Sequence, residues 1–273
     1  MRSASRIEGH ALTHPGARPG PNEDAVYLHR GRGVAVVADG MGGYRGGEVA
    51  SALAVTTVAE HLPAALARQR AAPDPGDGYT PESRAVREVL ELANEVILNT
   101  ARSQPQYAGM GTTVVLALFY GQRLTIAHVG DARLYRLRND TLELLTVDHT
   151  LLQELIARGV YTAEEARRSQ NRNLVTRALG IEERVEIDIQ EDIALPEDIY
   201  LLCSDGLNDM VEDRDIYSTL KRYNEQLDRA ATELVRLANA NGGRDNISVV
   251  LVRPPRAAAG ARQWVDKLVD WFF

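Results

Sequence analysis

The sequence predicts an α+β domain built on antiparallel sheet, and three observations carry that prediction. From Gly111 to Val147 four strand-like runs follow one another through short turns, which is a meander and therefore antiparallel. Two long stretches of helical periodicity precede this β region and two shorter ones follow it. The chain has 273 residues, 44% of them hydrophobic, which is ample for one core. No internal repeat and no second domain stand out. A doubly wound parallel sheet would need strands and helices in alternation, and the meander argues against it.

Taken in order, Ile7–Thr13 reads as an edge strand. ARPGPNED is a Pro/Gly loop in which Asn22, Glu23 and Asp24 lead into a strand at Ala25–His29. Val34–Gly43, VAVVADGMGG, is a short β-branched apolar run that ends in a carboxylate and a glycine turn, so it reads as a buried strand. From Gly46 to about Arg70, Val49, Leu53, Val58 and Leu62 recur near the helical period. Residues 71–83 form a loop. A second helix spans Pro81 to Ser103, with proline suited to a first turn and Val86, Val89, Leu90, Ala93 and Ile97 as its buried stripe.

The strands then run Gly111–Gly121, Arg123–Asp131, Arg133–Arg138 and Leu142–Val147, with turns at Gly121-Gln122 and Asn139-Asp140. Asp148–Leu179 interrupts the β pattern with short helices at Leu151–Arg158 and Ala163–Arg168 and reads as a flap. Strands resume at Arg184–Gln190 and Asp198–Gly206. Helices follow near Asp213–Arg222 and Glu225–Asn241, and the last strand is Asn246–Val252.

Composition narrows the function. The net charge of -7 excludes a nucleic-acid binder by electrostatics. A single cysteine, Cys203, excludes an intrachain disulfide and fits a reducing, cytoplasmic compartment. The first residues lack the apolar segment of a signal peptide, and no run approaches the roughly 18 apolar residues of a spanning helix.

Four acids stand at strand ends: Asp39, Asp131, Asp205 and Asp245. Singly, each is an ordinary turn residue. Together, at one end of a sheet assembly, they would repel and raise one another's pKa unless cations lay between them. Carboxylates and backbone carbonyls at a glycine corner suit a hard divalent ion.

The ordered motifs NED (22–24), ADGMGG (38–43), GEVAS (47–51), MGTT (110–113), VGDAR (129–133), DHT (148–150), TRALG (176–180), CSDGL (203–207) and RDNIS (244–248) resemble the PPM, or type 2C, metal-dependent protein Ser/Thr phosphatases of the bacterial single-domain kind. The resemblance implies an α-β-β-α sandwich over residues 1–253, followed by a linker and tail at 254–273. It implies two Mn²⁺ or Mg²⁺ ions and a third, weaker one. Asp39 would bridge the two ions and the Gly40 carbonyl would bind one. Asp205 and Asp245 would hold the other, Glu23 and Asp24 would reach a metal through water, and Asp131 would hold the third. The reaction implied is hydrolysis of phosphoserine and phosphothreonine in proteins by a hydroxide bridging two metal ions, without a phosphoenzyme. The implied partners are phosphoproteins made by a Ser/Thr kinase.

Three places depart from the family pattern. Met41 stands where many eukaryotic members have histidine. Arg18 is one residue farther from NED than the usual phosphate-binding arginine, whose place is Pro19. Ser169-Gln170 replaces the His-Pro pair of the flap. Other phosphatase chemistries fit poorly. Asp209 follows Cys203 where Cys-x5-Arg needs arginine, and Met41 follows Asp39 where Asp-x-Asp needs aspartate. There is no Walker A motif and no zinc spacing among the histidines, and His149 reads as structural at the flap base. The rival from another class is a non-catalytic module of the same fold, which would typically lose metal acids that this chain keeps.

The tail, RQWVDKLVDWFF, holds both tryptophans and two of the three phenylalanines of the chain. Trp264, Val265, Leu268, Val269 and Phe272 share a helical face. The tail is expected to dock on protein, in its own chain or a partner, in preference to a membrane surface, because Asp266, Lys267 and Asp270 sum to -1.

Overall fold

A computed structural model describes residues 6–43, 46–162 and 174–254. The expected helix at 163–168, the rest of the flap through 173, and the tail lie outside the described residues.

Eleven strands form two antiparallel sheets among the described residues. The first sheet orders β1 (Glu8–His14), β11 (Ile247–Arg253), β10 (Ile199–Cys203), β7 (Arg133–Arg138) and β8 (Thr141–Leu144). The second orders β2 (Asp24–His29), β3 (Val34–Met41), β5 (Val114–Tyr120), β6 (Arg123–Val129) and β9 (Asp188–Ile193), with β4 (Gly111–Thr112) paired to the end of β3. Helices α1 (Gly46–Ala71) and α2 (Pro81–Ser103) cover the second sheet, and α5 (Asp213–Arg222) and α6 (Leu227–Ala240) cover the first. Two short helices, α3 (Leu151–Ala157) and α4 (Asp205–Asn208), follow strand ends.

Alternation along the strands generates the four layers. On β3, Val34, Val36 and Ala38 face α1 and α2, while Ala35 and Val37 enter the space between the sheets. On β10, Ile199, Leu201 and Cys203 face the other helices, while Tyr200 and Leu202 face inward. Both faces of these central strands are buried, which is why they read as continuous apolar runs. The α-β-β-α sandwich is the fold expected above.

Local chemistry explains several boundaries. Thr80 caps α2 by accepting from the Ser83 N–H, and Pro81 occupies its first turn. Asn139 and Asp140 both adopt positive φ, 47° and 60°, as the two-residue hairpin between β7 and β8 requires. The helix α1 is long and apolar enough to span a bilayer by composition, yet Ala50, Ala54, Val58, Leu62 and Ala65 are buried against the sheet. It is a core helix.

Several strand boundaries shift: the run expected at Leu142–Val147 is strand only to Leu144, and that expected at Asp198–Gly206 only to Cys203. The run expected at Arg184–Gln190 pairs only from Asp188, which lies opposite His128 of β6. Val185 and Ile187 still pack on the core without joining the ladder. The run expected at Gly111–Gly121 breaks at Thr113. That break lets the Thr113 N–H and the Thr112 hydroxyl both donate to the Asp39 carbonyl, each at 2.8 Å.

Candidate metal centre

The acidic corners meet at one end of the sandwich. Asp24 lies directly opposite Asp39 in the β2–β3 ladder. The turn after β6 carries Asp131, α4 begins at Asp205 after β10, and Asp245 precedes β11. Close backbone approach brings these pieces together. A Cβ on Gly206 would lie 1.9 Å from the Asn246 carbonyl oxygen, and one on Gly40 would lie 2.0 Å from the Gly47 carbonyl oxygen. Only glycine permits either contact.

Two polar side chains lock the frame. The Asn246 carboxamide oxygen accepts from the Glu23 N–H at 2.7 Å, and its amide donates to the Pro15 and Pro21 carbonyls at 3.1 and 3.2 Å. The 15–23 loop is thereby tied to the start of β11. The buried Ser204 hydroxyl donates to Asp24 Oδ2 at 2.8 Å and accepts from the Ser248 N–H at 3.0 Å, joining the two sheets beneath the acids. Ser51 on α1 donates to the Glu23 carbonyl at 2.6 Å.

Burial and mutual repulsion dominate the electrostatics of this corner. Burial pushes the Asp39 carboxyl well above the usual carboxylate range, and Asp24, Asp205, Asp131 and Asp245 push it the same way. Burial does the same to Asp205, reinforced by Asp131, Asp245, Asp209 and Asp24. Burial is also the largest cause at Asp24 and at Asp131, each raised to about 6. Glu23 is raised by burial and pulled back by the backbone N–H groups of Gly47 and Glu48. The oxygens Asp24 Oδ1 and Asp205 Oδ1 are buried with no hydrogen-bond partner. Unpaired acceptors among mutually repelling carboxylates fit hard divalent ions.

The structure thus brings together Asp24, Asp39, Asp131, Asp205 and Asp245, with Glu23 beside Gly47 and the Gly40 backbone between them. Arg18 is exposed on the neighbouring 15–23 loop.

A second group has a different character. His128, His149 and Asp188 place donor atoms within 4.8 Å of one another. His149 Nδ1 accepts from the Gly130 N–H at 3.1 Å, which leaves the proton on Nε2, facing Asp188 at 3.4 Å. Arg177 sits 3.1 Å from the same carboxylate. A protonated nitrogen beside a guanidinium is no metal ligand. His149, stacked on His128 and braced by Asp188 and Arg177, props the Gly130–Asp131 turn, the structural part expected of it.

A family model for protein phosphatase 2C matches residues 17–241. The chain is 38% identical over 219 residues to the serine/threonine phosphatase stp of Listeria welshimeri, covering 80% of this chain and 83% of that one. The chain belongs to the protein phosphatase 2C family. Its fold matches the serine/threonine phosphatase Stp1 of Staphylococcus aureus with a TM-score of 0.79 at 30% identity, covering 93% of this chain and 97% of that one. It also matches the catalytic domain of the phosphatase PstP, solved in complex with two manganese ions, with a TM-score of 0.74 at 35% identity and coverage of 91% and 98%. This member of the family is a metal-dependent protein serine/threonine phosphatase, and phosphoproteins are its substrates.

Sequence reasoning missed Ser204, Asn246, Ser51, Asp209 and Arg177. Each lies inside or beside a quoted motif. Nothing local distinguishes Ser204 as a buried bridge, since its partner Asp24 is 180 residues away.

Proposed function

We propose that Asp39, Asp205 and Asp245, with the Gly40 carbonyl, hold two Mn²⁺ or Mg²⁺ ions, and that Asp131 holds a third more weakly. The single observation behind this is the convergence of mutually repelling carboxylates at one strand-end corner, where Asp24 and Asp205 each keep a buried oxygen without a hydrogen-bond partner. Such ions, when bound, activate water near neutral pH and neutralise charge on the phosphoryl group.

The chain's own residues supply the rest. Two hydrogen bonds to its carbonyl and its register opposite Asp24 fix the backbone of Asp39 at the centre. Glu23 and Asp24 would reach a metal through water, and they are themselves fixed by Asn246 and Ser204. Arg18, exposed beside the site, meets the substrate phosphate as a guanidinium can, with paired donors. No described side chain is needed as a covalent nucleophile. Cys203 is buried and its thiol is pushed up to about 12 by burial, so it takes no part. The substrates are products of a Ser/Thr kinase, and the buried free thiol suits the cytoplasm.

The test is phosphate release from a phosphothreonine peptide with Mn²⁺, with EDTA, and with Asp205→Asn. Metal-dependent release that collapses in the variant is expected. Release that survives both chelation and the substitution would overturn the assignment.

A further inference from the structure

At the end of the second sheet opposite the acids lies an apolar groove of about 430 Å³. Val58, Ala59, Leu62 and Leu66 of α1 form one wall, and Leu118 and Phe119 form part of the other. Val34 lines it too, so along β3 it lies five residues, about 17 Å, from Asp39. Its volume is in the range that holds a ligand with one or two rings.

The groove's charge has one sign. Arg32 and Arg70 are its charged lining residues, and no acid lines it. Arg70 is paired with Glu82. Arg32 has no carboxylate partner among the described residues. Its guanidinium donates to the Ala59 carbonyl at 3.4 Å. That carbonyl is left without its helical donor because Pro63, four residues on, has no N–H.

We infer that this groove seats the C-terminal segment 264–272 of the same chain. Three features select that occupant. The last described strand ends nearby: Arg253 pairs with Glu8, the adjacent Ile7 N–H donates to the Arg30 carbonyl at 3.2 Å, and Gly31 and Arg32 line the groove. Residues 254–263 can span up to about 33 Å when extended, more than this route needs. The segment carries Trp264, Leu268 and Phe272 at helical spacing, the residue types an apolar groove takes. The inference does not rest on the phosphatase assignment, and the seated segment leaves the acidic centre open.

Both tryptophans of the chain lie in this segment, so intrinsic tryptophan emission reports on it alone. The experiment records emission of the full chain over a hundredfold range of protein concentration, with and without vesicles of mixed anionic and neutral phospholipid. Leu66→Glu, which puts a charge in the groove, and Ala59→Arg, which fills it, are compared. Far-UV circular dichroism and phosphate release confirm that both variants fold. The expected result is blue-shifted emission at every concentration without lipid, moving to that of solvated indole in both variants. Solvated emission in the unaltered chain would overturn the inference. So would a blue shift that both variants keep, one that appears only with lipid, or one that grows with protein concentration, which would indicate a second copy.

Discussion

Replacing Asp131 by asparagine in metal-free protein tests whether repulsion and burial in the acidic centre are real. Asp131 is 7% exposed, and burial first and Asp148 second raise its pKa from 3.8 to about 6. A carboxyl whose folded pKa is raised binds its proton more tightly in the folded state. Its contribution to stability therefore falls as pH rises from 3.8 through 6, and grows as pH falls through the same window. For one group shifted this far, the folded state gains about 1.4 kcal/mol between pH 7 and pH 5, and the full shift corresponds to about 3 kcal/mol. His149 acts in the opposite sense. Burial lowers its pKa below 6.5, so its neutral form loses stability as pH falls. That term is common to wild type and variant and cancels in their difference. Urea unfolding with chelator present at pH 7 and pH 5 measures it. Wild type should gain about 1.4 kcal/mol more than Asp131→Asn on going to pH 5, with unchanged m-values, and the variant should be the more stable at pH 7. Identical pH dependence in the two proteins would refute the reasoning.

Three further predictions concern the frame. Asp39→Asn should raise the melting temperature of metal-free protein, because it removes one charge from a repelling cluster, while lowering metal-dependent phosphate release by at least about a hundredfold; calorimetry and a phosphothreonine peptide assay check both halves. Ser204→Ala removes the hydroxyl between Asp24 and the Ser248 N–H and leaves both buried, so urea unfolding should show a loss of about 2–4 kcal/mol; a loss under 0.5 kcal/mol would mean the bridge is replaced, on the order expected for a fully compensated bond. Gly206→Ala cannot keep a Cβ 1.9 Å from the Asn246 oxygen, and the resulting shift should weaken Mn²⁺ binding measured by isothermal calorimetry by about a hundredfold, whereas Gly20→Ala, with no atom within 4 Å, should behave as wild type.

What could be read from the sequence follows from what is local. The β-branched runs, the helical stripes of α2 and the Thr80-Pro81 start of that helix depend on residues a few positions apart. So do the hairpin at Asn139-Asp140 and the placing of Asp39, Asp131, Asp205 and Asp245 at strand ends. Periodicity and backbone preference act over those distances, and nothing in the tertiary structure opposed them. The motif order added the family, and with it the four-layer arrangement. Only the folded chain decided the rest. The pairing of Asp24 with Asp39, the Ser204 bridge between the sheets, the Asn246 clamp on Glu23 and the prop of His149, Asp188 and Arg177 under Asp131 join residues brought adjacent by sheet register and packing. A hydrogen bond across 180 or 223 residues leaves no period and no local composition in the sequence. The break at Thr113 was decided in the same way, by the carbonyl of Asp39.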